Sequence, residues 1–259
     1  MPITQEEIKH KETIMALDAQ YVHEFFKNSK DENEIGLYDH NAFIGSCEPR
    51  VVFKQRKGLE TNSNYCQILP YTIFRVLTPE GVKFITYRRA KGLGESRLLG
   101  NYSVGFGGHI EISDIVGIYK DPKTQTHYKS SEISESDYDF LEMTGVLDVE
   151  STISYSNVRE IEEEIGFVGS DNTDYTEVIC DQTVTTNPTL YIADNDQKVG
   201  IFHIALINIV DVPFEQCEKV VSKEEDSGVE MVGLMSPKDI LETNASENWT
   251  RLFLEYVLK

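Results

Sequence analysis

None of the four cysteines (Cys47, Cys66, Cys180, Cys217) is spaced C-x-x-C with another. That spacing would be needed for a thiolate zinc knuckle or a thioredoxin-like redox pair. A chain of 259 residues also has enough apolar mass to fold without disulfide staples. The reading is four free thiols in a reducing cytoplasm. Positive charge is scarce: 24 Lys and Arg against 44 Asp and Glu leave a formal net charge of −20 and a pI near 4.6. Such a field repels duplex nucleic acid and anionic membranes, which argues against both as partners. No stretch approaches the roughly 18 consecutive apolar residues of a membrane helix. The opening "MPITQEEIKHKETIMALDAQ" has no basic start followed by an apolar run, so it does not read as a secretory signal.

What is present is an ordinary globular mixture, 40% hydrophobic and 26% charged. Ile8, Ile14, Leu17, Tyr21 and Phe25 recur at helical spacing and predict a helix from Thr4 to about Asn28. The stretch to about Thr61 is mixed. "ILPYTIFRVL" (68–77) and "VKFITY" (82–87) are β-rich runs on either side of the turn signal "TPEG". Residues 112–150 are polar and serine-rich, and read as an insertion, partly loop. A helix is expected over Ser154–Ile165, ended by Gly166. A hairpin follows in "LYIADNDQKVGIFHIALINIV", with "DND" as its turn. Val229–Leu234 reads as a short strand. "SPKDIL" reads as a helix start, with Ser236 as N-cap and Pro237 at the first position. A last helix from Ser246 would carry Trp249, Leu252, Phe253 and Val257 on one side. Strands in mixed order with helices between and after them indicate an α/β sandwich.

The stretch that carries chemistry is "REIEEEIGF", residues 159–167. At about 100° per residue, Val158, Ile161 and Ile165 fall within roughly 60° and form a buried stripe. Glu160, Glu163 and Glu164 share an arc of about 100° with no lysine interleaved, while Glu162 points elsewhere. Like charges on adjacent turns repel, so a solvated surface more often alternates Glu with Lys. Converging carboxylates suit a hard cation such as Mg²⁺ or Mn²⁺. On geometry alone an ordinary acidic helix is an equal alternative.

Arg159, Glu160, Ile161, Glu162, Glu163, Glu164, Ile165, Gly166 and Phe167 resemble, at every specified position, the second half of the Nudix box, R-E-U-x-E-E-x-G-U with U a bulky apolar residue. That box belongs to MutT-type pyrophosphohydrolases. Its first half, a glycine followed after five residues by a glutamate, does not stand at the usual distance: counting back reaches Gly145 and Ser151, with Glu150 one position off. Further upstream, "GFGGHIE" resembles the family's glycine turn, and five residues separate Gly108 from Asp114. On that register Gly108 to Phe167 spans 60 residues, about 37 more than the box requires, in agreement with the polar segment 112–150 being an insertion. Asp114 and Glu150 are both candidates for the missing glutamate. "YRRAKGLGESRLLGNYSVGFGGHIE" is also similar to a branch of the family predicted to act as phosphoesterases.

The resemblance implies a Nudix-like α/β/α sandwich with a mixed sheet over residues 61–259, preceded by a helical or mixed extension over 1–60. It implies a metal-dependent hydrolase cleaving the pyrophosphate of a nucleoside diphosphate linked to another group, with Mg²⁺ or Mn²⁺ held by Glu160, Glu163, Glu164 and the Gly108 carbonyl. Arg159 would orient the carboxylates, and Glu160 or a loop glutamate (Glu224, Glu225, Glu230) would take a proton from water. Arg88, Arg89, Lys91 and Arg97 gather positive charge in an acidic chain and are candidates for substrate phosphates, or for a solubilising strand end. His109 and His203 read as structural, His109 with a metal-facing alternative. The rival reading is a non-hydrolytic nucleotide sensor or protein-interaction module on the same fold. In either case the insertion and the extension could cap the site or form a homodimer interface.

Overall fold

The computed structural model describes residues 12–27, 35–89, 99–129, 132–133, 141–193, 202–223, 229–243 and 245–259. Thr13–Asp18 is β1, followed directly by helix α1 (Ala19–Lys27). Then come β2 (Ile35–Leu37), α2 (His40–Cys47), β3 (Val51–Gln55) and the short α3 (Arg56–Leu59). The long strands β4 (Tyr65–Thr78) and β5 (Gly81–Arg89) lead to two-residue strands β6 (Tyr102–Ser103) and β7 (Gly105–Phe106). The polar segment holds a 3-10 turn at Ile112–Asp114 and strands β8 (Gly117–Lys120), β9 (His127–Tyr128) and β10 (Glu142–Leu147). Helix α4 (Val149–Glu164) runs into β11 (Ile165–Val168), followed by helix α5 (Thr176–Thr185). The remainder is β12 (Leu190–Ile192), β13 (His203–Val212), β14 (Lys219–Ser222), β15 (Val229–Met235), α6 (Pro237–Glu242) and α7 (Asn248–Val257).

β4 is the centre of the main sheet, whose order is β15-β5-β4-β13-β12-β2. It pairs in parallel with β13 from His203 opposite Gln67 to Val212 opposite Val76. Both strands are nearly continuous in apolar residues because helices cover both faces. Alternation along β4 sorts the core. Phe74 and Val76 face α4 and α5, packing with Ile161, Ile165, Ile179 and Cys180. Tyr71 and Ile73 face the opposite way, packing with Ile240, Phe253 and Leu254 of α6 and α7. The other edge of β4 takes β1 near its start, β7 in the middle and β5 at its end.

Pro70 sits in the gap between the β1 and β7 pairings. Its carbonyl points at Gly107, so its ring nitrogen also faces that edge and the ladder to β13 is not broken. Gly107 has φ +151°, and a Cβ there would overlap the Pro70 carbonyl oxygen; glycine is required on both counts.

Four expectations change. Residues 13–18, expected as helix, form β1, because Ile14–Leu17 are buried on both faces between β3 and β4. Helix survives only over Ala19–Lys27; residues 4–11 and 28 lie outside the described residues. α4 begins at Val149 rather than Ser154, nucleated by Asp148, whose side chain accepts from the Ser151 N–H at 3.1 Å. Gly166 does not end it: Ile165 is already extended (φ −138°, ψ 156°), and Gly166 pairs with Val221 of β14, where a Cβ would crowd that valine. The last helix starts at Asn248, and its Val257 is exposed while Phe253 and Leu254 carry the buried face.

The hairpin is present as antiparallel β12 and β13, although its "DND" turn falls outside the described residues. Ser236 caps α6 as expected, accepting from the Asp239 N–H at 3.2 Å. β8, β9 and β10 form a three-stranded sheet in the order β10-β8-β9, separate from the main one. β1, β2 and β3, all from residues 1–60, belong to the main sheet.

Candidate active site

Two elements build the site: the turn that follows β7, and the last two turns of α4. The helix is fastened to the sheet by a buried polar contact in which Thr72 of β4 and Asn157 exchange hydrogen bonds at 2.8 and 3.0 Å. That anchor fixes the rotation of the helix, sends Ile161 (wholly buried) into the core, and leaves Glu162 and Glu163 exposed. Ser156 donates to the His109 carbonyl at 3.4 Å, joining the helix to the glycine turn.

Arg159 is the hub. Its Nε and Nη2 donate to the two oxygens of Asp114 at 2.7 and 3.0 Å, a bidentate pair. Nη2 also reaches Glu160 Oε1 at 2.9 Å and the His109 carbonyl at 3.2 Å, and Nη1 reaches Glu163 Oε2 at 3.1 Å. Asp114 is 1% exposed and accepts in addition from the Glu111 N–H at 2.7 Å. Burial by itself would lower the Arg159 pKa; Asp114, Glu160 and Glu163 more than offset that, so the guanidinium is held charged. Of the two candidate acids, Asp114 grips the arginine, whereas Glu150 pairs with Lys129 at 2.9 Å.

Glu160 is the perturbed carboxyl of the site. Burial pushes it up to about 7; Arg159 opposes this, and the charges of Glu163 and Glu111 add to it. It lies directly under Gly108, where any Cβ would collide with its carboxylate oxygens. The glycine therefore lets the turn's backbone close over a buried acid. Glu163 is half exposed, and Glu164 is partly buried at the helix end. Glu162 is exposed and touches none of this.

Among the described residues no three His, Cys, Asp or Glu side chains converge closely enough to enclose an ion. The donor chemistry nevertheless fits a hard divalent cation: an oxygen-only set, one member of which is a desolvated carboxyl, capped by a glycine backbone with no side chain in the way.

The basic cluster divides. Arg88 pairs with Glu230 through its Nη2 at 2.5 Å, an exposed pair that adjacent strands bring into register. Arg89 binds Glu247 through Nε alone, at 2.8 Å, and Glu164 acts on it electrostatically. Lys91, Arg97, Glu224 and Glu225 lie outside the described residues. His109 and His203 lie ring to ring, with centroids 5.7 Å apart. Sequence reasoning missed Glu247 and the Thr72–Asn157 anchor. Their partners are 158 and 85 positions away, and no local pattern marks such pairs.

A mixed sheet with helices on both faces, and a glycine turn set against an acidic helix, define the Nudix fold. The solved structure of Tm1382, whose designation as a Nudix hydrolase is provisional, superposes with a TM-score of 0.58 at 15% identity, covering 95% of this chain and 98% of that one. At that identity the likeness establishes the fold alone. A Nudix hydrolase from Alicyclobacillus acidocaldarius aligns at 12% identity over 73% of this chain and 90% of its own, and its TM-score of 0.39 carries no weight here. No protein-family model matches the sequence, and no curated protein does.

Proposed function

We propose that the chain is a hydrolase that cleaves the pyrophosphate bond of a nucleoside diphosphate linked to another group, with Mg²⁺ or Mn²⁺ as cofactor. Nucleotide sugars, dinucleoside polyphosphates and nucleoside triphosphates form its substrate class. The observation that carries this reading is the clasp of Arg159 on Asp114, Glu160 and Glu163 beneath Gly108. Glu160, Glu163, Glu164 and the Gly108 carbonyl are the groups that would hold the cation, which when bound neutralises the polyphosphate and lowers the pKa of water.

The remaining roles belong to the chain's own residues. Arg159 orients Glu160 and Glu163 and, through the His109 carbonyl, fixes the turn relative to the helix. Glu160, placed directly under the glycine turn, is the group that would accept a proton from water. Arg89, its guanidinium over the Tyr87 ring, supplies a cation for the substrate's phosphates. Four free, buried cysteines accord with a reducing cytoplasm, and no described helix is long and apolar enough to cross a membrane.

The rival reading, a binding module without turnover, drew its support from the altered first half of the box. Asp114 at Arg159 supports hydrolysis instead. The test is release of mononucleotide from ADP-ribose, dinucleoside polyphosphates and nucleoside triphosphates with each metal, in the native chain and in Glu163→Gln and Glu164→Gln. Undiminished hydrolysis in both variants removes the helix from the mechanism, and tight ligand binding without turnover at any metal selects the binding module.

A further inference from the structure

Glu247 occupies the N-cap position of α7, where a short polar side chain such as Ser, Thr, Asn or Asp normally accepts from the first free N–H groups of the helix. Here the side chain makes no such bond. It is 9% exposed and turned instead to Nε of Arg89, at 2.8 Å. Its backbone is held independently, the N–H donating to the Tyr102 carbonyl at 2.9 Å and the carbonyl accepting from the Arg251 N–H at 2.9 Å. The carboxylate is therefore withdrawn from the helix and committed to a single arginine.

The geometry of that arginine gives the commitment a purpose. Arg89 is pinned at three points: its main chain exchanges hydrogen bonds with the Asn101 carbonyl and the Gly100 N–H, its Cζ lies 5.5 Å from the Tyr87 ring centroid, and its Nε is taken by Glu247. Among the described residues neither terminal amino group of the guanidinium has a hydrogen-bond partner, and 36% of the side chain is exposed. A guanidinium held by Nε presents its two Nη groups as a fork, the arrangement that matches two oxygens of a phosphoryl group. Tyr87, over whose ring Arg89 lies, packs with Phe106 of β7 and with Ile161 and Ile165 at the end of α4. Its hydroxyl donates to the Gly105 carbonyl at 3.1 Å, which puts the fork on the side of the glycine turn and the end of α4.

We infer that Glu247 is a positioning residue of the substrate site, holding Arg89 so that its free Nη edge receives a phosphoryl group of the substrate next to the glutamates of α4. The inference rests on the hydrolase reading above for the word substrate, but its test does not require turnover. Inorganic phosphate is titrated by calorimetry into the full chain at fixed Mg²⁺, for the native protein, Glu247→Ala, Glu247→Gln and Arg89→Lys. Mg²⁺ binding is measured separately for each.

Glu247→Ala and Arg89→Lys are expected to weaken phosphate by about tenfold or more with Mg²⁺ affinity unchanged. Glu247→Gln, which keeps the volume and one acceptor oxygen, is expected to fall between them and the native chain, and it serves should the alanine variant not fold. With a hydrolysable substrate Glu247→Ala and Glu247→Gln should raise KM by a larger factor than they lower kcat. Phosphate binding within about twofold of native in Glu247→Ala, or loss of phosphate in step with loss of Mg²⁺, overturns the inference. So does a native chain that binds no phosphate, an outcome that leaves the hydrolase reading to the turnover assay.

Discussion

Glu160→Gln should make the metal-free protein more stable at pH 8, although it removes a candidate catalytic group. The native carboxyl is raised from 4.5 to about 7, first by burial and then by Glu163 and Glu111 against the pull of Arg159. Each pH unit of displacement is worth about 1.4 kcal/mol, so the ionised form costs the fold about 3 kcal/mol relative to the neutral one. The sign follows from the direction. The folded chain binds this proton more tightly than the unfolded chain, so the favourable contribution is complete below about pH 4.5, fades as pH rises to about 7, and is absent above it. Glutamine imitates the neutral carboxyl, and Arg159 keeps Asp114 and Glu163 in its place.

In EDTA at pH 8 the variant should gain up to about 3 kcal/mol in urea unfolding, or roughly 9 °C in Tm. The difference should shrink towards zero near pH 4.5, and added Mg²⁺ should stabilise the native chain more than the variant. A variant no more stable than native at pH 8, or a gain independent of pH, would refute the assignment of Glu160 as a desolvated, charge-crowded acid.

Asp114→Ala leaves the Arg159 charge without its bidentate partner, and should cost about 3–5 kcal/mol in equilibrium unfolding as well as most of the hydrolytic rate. Glu150→Ala breaks only an exposed pair with Lys129 and should change stability by about 0.5 kcal/mol or less, with activity intact; the contrast between the two variants checks which acid completes the site. Gly107→Ala combines φ +151° with overlap of the Pro70 carbonyl, and should destabilise by more than about 1 kcal/mol by chemical denaturation. Cys66, wholly buried with its thiol pushed up to about 12, should resist iodoacetamide at pH 8 in the native state and react only in urea, as followed by mass spectrometry.

The acidic helix was legible because its signals are local. Period 3.6 put Ile161 in the core and Glu162 on the surface, and the one is wholly buried and the other exposed. β4 and β5 were legible for the same reason, as apolar β-branched and aromatic runs on either side of a turn. Residues 13–18 misled because a strand buried on both faces has no period of two, and its apolar positions coincide with helical ones. Gly166 misled because a glycine after a helix more often ends it, whereas here it admits the side chain of Val221.

Sequence alone therefore determined the chain's charge, its α/β class, and an acidic helix with Ile161 on its buried side, since each of these depends on composition or on neighbours a few positions apart. Tertiary structure decided which acid meets Arg159, that Gly108 closes over Glu160, that Arg88 pairs with Glu230, and that Arg89 is held by Glu247 through its Nε. Each of those contacts joins residues tens to more than a hundred positions apart. No local pattern encodes them; they exist only because β4, the glycine turn and the two helix ends pack against one sheet.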